Sequence, residues 1–126
     1  MKLKLALAGL MIALAPTLAH AEGDAAKGEK VFKKCKSCHT AKKEKNKVGP
    51  HLVGVFGRAA GSVEGYKYSK AMKAKAAEIG AWDEAKLNDW LTNPKKYLGG
   101  KSKMTFKLKK EKQRADVIAY LKSLAK

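Results

Sequence analysis

Between Thr40 and Ser69 the chain carries glycine at positions 49, 54, 57, 61 and 65. Glycine at that density breaks any long helix or strand, so the stretch reads as one extended loop. A loop of this length is unusual in a small domain and tends to be functional or wrapped around something. The chain is 126 residues long, which suggests one domain. With so much of it given to loop, the remaining elements cannot easily bury a core of their own.

Those elements read as helices. Asp24 to Cys35 starts at a capping aspartate, with Gly28, Val31, Phe32 and Cys35 on one face. Ser69 to Glu78 is capped by Ser69 and followed by Gly80. Asp83 to Thr92 is capped by Asp83, with Leu87, Trp90 and Leu91 on its buried side. Asn93-Pro94 restarts the chain into a short turn of helix that ends near Gly99-Gly100. Lys109 to Ala125 is the last helix, with Val117, Ile118, Leu121 and Leu124 as its stripe and Tyr120 beside it. No strand-like alternation stands out. The fold class is all-α, four to five short helices with long loops, and something apolar should fill the middle.

The amino end has its own signature. Lys2 and Lys4 are followed by an apolar run from Leu5 to Ala15 and then by Ala19-His20-Ala21. That order is expected of a cleavable secretory signal over residues 1–21, leaving residues 22–126 as the domain. The apolar run is short of the ~20 residues that span a bilayer. The product is expected to be exported to the periplasm, not membrane-spanning, and monomeric.

The two cysteines of the chain, Cys35 and Cys38, lie in Cys-Lys-Ser-Cys-His, directly before His39. This is the c-type haem attachment pattern. Two thiols three residues apart near a helix end can each form a thioether with one vinyl group of the porphyrin. The following imidazole then lies under the iron. A thioredoxin-like pair would need a βαβ setting, which the pattern lacks. A zinc site needs about four ligands, and few candidates remain to join the thiols. A disulfide across so short a loop restrains little and explains neither His39 nor the missing core. Haem c with its iron therefore fits best. Candidates for a sixth iron ligand are Met72, Met104 and His51. Met104 follows a Gly-Gly loop and is far enough along to close over the opposite face. Met72 reads as core filler inside a helix, and His51 as a loop surface residue.

The net charge is +17, or +15 without Lys2 and Lys4. The excess lies in two windows. Residues 27–47 have nine bases and two acids, and residues 95–114 have nine bases and one acid. One window surrounds the Cys/His cluster and the other surrounds Met104. Such an excess favours an acidic partner. Export argues against nucleic acid. Lys33, Lys36, Lys47, Lys95, Lys96, Lys101 and Lys103 lie nearest the ligand motifs and rank as docking residues, whereas Lys27, Lys30, Lys109 and Lys112 read as solvated helix faces.

The ordered pieces "GEKVFKKCKSCHT", "KVGPHLVGVFGR", "GYKYS", "LTNPKKYL", "KSKMTFKL" and "DVIAYLK" closely resemble class I cytochrome c, both the mitochondrial type and bacterial cytochrome c2. The resemblance spans residues 22–126. It implies the class I cytochrome c fold around one covalent haem c held by Cys35 and Cys38, with His39 and Met104 as axial ligands. It further implies that the Pro50 carbonyl accepts from His39, and that Arg58, Tyr68 and Trp82 hydrogen-bond or face the haem propionates. Gly28 and Phe32 would pack on Val117 and Tyr120 where the first and last helices cross. Trp90 stands where the family usually has a tyrosine bonded to the methionine sulfur, and His51 replaces the usual asparagine after Gly-Pro.

The implied function is one-electron transfer, not catalysis. The expected donor is a quinol–cytochrome c oxidoreductase. The expected acceptor is a photosynthetic reaction centre, an oxidase or a peroxidase, each met through an acidic face. A peroxidase-like haem protein with Met104 dissociated is the alternative.

Overall fold

The computed structural model describes residues 23–125. The expected signal segment, residues 1–21, lies outside them. Five helices follow in order: α1 Ala25–Phe32, α2 Lys70–Ile79, α3 Glu84–Thr92, α4 Pro94–Leu98 and α5 Glu111–Leu124. Among the described residues no strand forms, and a single antiparallel bridge joins Ala59 to Ala81.

The capping residues act as their types predict. The side chains of Asp24, Ser69, Asp83 and Asn93 accept from the backbone N–H of Lys27, Met72, Lys86 and Lys96. Each such cap is worth about 1 kcal/mol. Pro94 occupies the first turn of α4, where its missing N–H costs nothing. Gly99 ends α4 at φ 64°, a left-handed geometry that glycine adopts without strain.

The amino- and carboxyl-terminal helices α1 and α5 cross closely. A Cβ on Gly28 would come within 1.9 Å of the Asp116 carbonyl oxygen and 2.8 Å of the Tyr120 Cβ. Only glycine permits that approach. The Phe32 and Tyr120 rings lie 5.5 Å apart at 45°, a tilted pair worth about 1 kcal/mol beyond its buried area. Val117 is almost fully enclosed.

Two buried charges brace this frame. Asp116 is only 4% exposed. Its Oδ1 accepts from the Asp24 backbone N–H at 2.8 Å and from Lys112 one turn earlier. Lys112 is exposed, as expected, and is a structural partner as well. Arg114 is 9% exposed. Its Nε donates to Asn88 Oδ1 of α3, and its Nη1 donates to the carbonyls of Leu108 and Lys109.

Three expectations are corrected. Helix α1 ends at Phe32, before Cys35, because the amides of Lys33, Lys34 and Cys35 bond three residues back and tighten into turns. α5 begins at Glu111, two residues later than its pattern suggested. Leu124 closes that helix exposed, outside the apolar stripe.

Candidate functional site

The turn after α1 sets the first half of the site. The Cys35 carbonyl accepts from both Cys38 N, at 3.1 Å, and His39 N, at 2.9 Å. That one turn fixes both thiols and the imidazole relative to one another. Both cysteines are free and half-buried. Burial, with neighbouring Cys38, pushes the Cys35 thiol up to about 11, against the opposing pull of Lys34. A redox-active CxxC pair needs a lowered thiol pKa, and burial of Cys35 works against that. Among the described residues no group of three or more His, Cys, Asp or Glu comes together to hold a metal ion.

His39 is held from two sides. Its Nδ1 lies 2.7 Å from the Pro50 carbonyl oxygen. An oxygen there accepts only, so Nδ1 carries the proton and Nε2 keeps its lone pair. Burial lowers the imidazole pKa, opposed by the Pro50 bond, and the Arg58 charge lowers it further. The ring is thus neutral and ready to donate to a metal. Gly49 backs it: a Cβ there would meet His39 Cε1 at 2.3 Å. Gly49 is fixed in turn by its N–H to the Cys38 carbonyl at 2.8 Å.

The long loop supplies the flanking polar groups. Arg58 Nη1 donates to the carbonyls of His51 and Val53 at 2.9 and 3.0 Å. The Tyr68 hydroxyl accepts from Val63 N at 3.0 Å, so its own proton is left to donate elsewhere. Trp82 is buried. Its backbone pairs with Gly57 and Arg58, and Lys86 donates to the Ile79 and Ala81 carbonyls beside it. Trp82, Trp90 and Tyr97 form a mutual cluster with centroids 5.8 to 6.1 Å apart. Trp90 is half-buried against the core.

Met72 sits in the core cluster, as its pattern suggested, whereas Met104 is half-buried on the open loop after α4. The expectation for His51 is corrected. It is half-buried, its Nδ1 accepts from Val53 N at 3.2 Å, and its backbone N–H donates to Asn46 Oδ1 at 3.0 Å. These bonds depend on the loop's fold and have no sequence signature. Two docking candidates also have unforeseen partners. Lys47 donates to the Lys36 carbonyl at 2.7 Å, and Lys103 donates to the Lys67 carbonyl.

The family model described as Cytochrome c matches residues 25–125. The chain belongs to the cytochrome c family. A cytochrome c of Guizotia abyssinica is 54% identical over 104 residues, covering 80% of this chain and 90% of that one. A cytochrome c-550 of Novispirillum itersonii is 47% identical over 110 residues, covering 81% and 99%. Among solved structures, cytochrome c2 from Rhodospirillum centenum superposes with a TM-score of 0.78 at 39% identity, over 82% of this chain and 100% of that one. Ferric cytochrome c-550 from Paracoccus versutus gives 0.74 at 42%, over 83% and 100%.

Cytochromes c are electron carriers, not enzymes, and carry one covalently bound haem c with its iron. The residues here fit that group. Two thiols share a turn, one imidazole nitrogen is held while the other is free, and a glycine leaves the ring its room. The small helical frame also suits a large apolar group among its loops. No helix of the described residues is long and apolar enough to cross a membrane.

Proposed function

We propose that this chain is a periplasmic electron carrier in which Cys35 and Cys38 hold the haem by thioethers and His39 and Met104 are its axial ligands. The observation that carries this reading is the His39 ring, held at Nδ1 by Pro50 and backed by Gly49. Second-shell bonds of this kind orient a ligand and raise its basicity. When bound, the haem supplies an iron that cycles between ferrous and ferric, with a potential raised by a thioether ligand.

The protein's part is to fix and shield that group. Cys35 and Cys38 anchor it on the α1 side. Met104 would supply the second protein ligand, so that no position is left for substrate. Arg58, Tyr68 and Trp82 would serve the propionates. The Tyr68 proton, free of protein acceptors among the described residues, serves as a donor there, and Arg58 supplies positive charge. Trp90 contributes an aromatic wall beside Trp82. The order of Lys2, Lys4, the apolar run and Ala19-His20-Ala21 supports export and a periplasmic place.

The partners in this reading are acidic faces of membrane redox complexes: a quinol–cytochrome c oxidoreductase as donor, and a reaction centre, oxidase or peroxidase as acceptor. The two basic windows speed encounter without demanding tight binding. Transfer to such a complex is expected to slow steeply between ~0.01 M and ~0.1 M salt, as the screening length falls from ~30 Å to ~10 Å. Stopped-flow transfer rates that stay flat over that range would overturn the docking assignment.

A further inference from the structure

The short link from α2 to α3 carries Trp82, and its inner side pairs with the long loop. Ala60 N donates to the Gly80 carbonyl at 2.8 Å, Trp82 N donates to the Arg58 carbonyl at 2.9 Å, and Gly57 N donates to the Trp82 carbonyl at 2.8 Å. These bonds tie the backbone of Arg58 directly to that of Trp82. Whatever holds the link therefore holds both residues.

The other side of the link is taken by one side chain. Lys86 Nζ donates to the Ile79 carbonyl at 2.6 Å and to the Ala81 carbonyl at 3.2 Å, and lies 4.0 Å from Asp83 Oδ2. Gly80 turns between those two carbonyls at φ 66°, a geometry open to glycine, and they converge on one ammonium. Ile79 is the last residue of α2, whose own last turn carries no base. The ammonium thus meets the negative end of that helix dipole. Its place in its own helix is otherwise a poor one. Lys86 lies in the first turn of α3, where the dipole disfavours a cation. The bonds to the link, not the needs of α3, account for a half-buried lysine there.

We propose that Lys86 is a positioning residue for the haem: by holding the Ile79 and Ala81 carbonyls it fixes the link from outside, and the shared backbone bonds carry that hold to Trp82 and Arg58. This rests on Arg58 and Trp82 serving the propionates. Donors kept in place there offset negative charge near the iron and help to set its reduction potential. A lysine suits the task because a charged donor bonds a carbonyl more strongly than a neutral one, and one ammonium has protons for both acceptors.

The test uses the holoprotein and compares Lys86→Met, which keeps most of the stem and loses the ammonium, with Lys86→Arg, which can still donate to both carbonyls. Amide hydrogen exchange at Trp82 and Gly57 is expected to be roughly tenfold faster in Lys86→Met, the scale of one lost charge-assisted hydrogen bond, and close to the parent's in Lys86→Arg. The reduction potential should fall in Lys86→Met. The fall should persist at ~1 M salt, where screening over ~3 Å removes the direct effect of the lost charge. Lys86→Arg should keep the parent potential. Faster exchange with a potential that returns to the parent's at high salt would overturn the positioning role and leave Lys86 a staple between helices. Unchanged exchange in Lys86→Met would overturn the hold itself. Trp82→Phe, which keeps a ring and loses the indole N–H, reads the underlying assignment separately. A potential that falls in Trp82→Phe but not in Lys86→Met rejects Lys86 alone. A parent potential in Trp82→Phe rejects the propionate role of Trp82, and this proposal with it.

Discussion

His39 Nδ1 donates to the Pro50 carbonyl across 2.7 Å, and this single bond decides what the imidazole can do. It fixes the tautomer, leaves the Nε2 lone pair unused by Pro50 and ties the ring to the backbone next to Gly49. Everything else on the Cys35 side of the site is arranged around that ring.

Gly49→Ala tests the ring's seat. The added methyl would lie 2.3 Å from Cε1 and under 3 Å from both ring nitrogens. Neither the ring nor the backbone is free to yield, so overpacking should cost about 1–3 kcal/mol. Denaturant unfolding of the holoprotein would show it, along with a lower yield of attached haem on expression. A variant as stable and as fully loaded as the parent would show that the ring has room to move.

Arg114→Lys tests how the far end of the Met104 loop is held. The guanidinium satisfies Asn88, Leu108 and Lys109 together, and a single ammonium cannot reproduce that fork. At least one buried acceptor is left unmet, at a cost of about 1–3 kcal/mol. The urea midpoint should fall although the charge is kept, and an unchanged midpoint would mean that charge alone matters here.

Asp116 makes stability depend on pH. Burial by itself raises its pKa, but the Lys112 bond, the Asp24 N–H and the lysine charges outweigh that and hold it below the ordinary carboxylate value. The folded state therefore favours the ionised form. That contribution is complete above the ordinary carboxylate value of ~4 and is lost as pH falls through the lowered folded value. Asp116→Asn should be less stable than the parent at pH 7 by about 1 kcal/mol, the upper worth of an ion pair whose lysine is largely exposed. The gap should close in acid. Thermal melts of both proteins over the acid range would reveal it, and a gap that stays constant with pH would remove Asp116 from the acid limb.

Much of this was legible in the chain because it rests on local chemistry. Asp24, Ser69, Asp83 and Asn93 announce helix starts, since a cap needs only its own next three residues. Cys35, Cys38 and His39 are readable for the same reason: the attachment chemistry demands contiguous spacing. Gly28 against α5 came through family resemblance, since nothing near it in sequence says what it touches. The rest depends on partners brought in by tertiary structure. Asp116 and Arg114 look like ordinary charges on a solvated helix until Asp24, Asn88 and Leu108 arrive from elsewhere. Lys47 and Lys103 show no partner within the chain until the Lys36 and Lys67 carbonyls are placed beside them. His51 looks like a surface residue until Asn46, Val53 and Arg58 enclose it.

The central claim is that His39 and Met104 ligate one covalent haem in an electron carrier, and a redox titration followed by visible spectroscopy on parent and Met104→Ala holoprotein tests it most directly. The parent should titrate as a single one-electron step, show the methionine–iron charge-transfer band when ferric, and fail to take up carbon monoxide readily when ferrous at neutral pH. Met104→Ala should lose the band, fall in potential and bind carbon monoxide. A Met104→Ala protein that kept the parent's spectrum and potential would contradict the account.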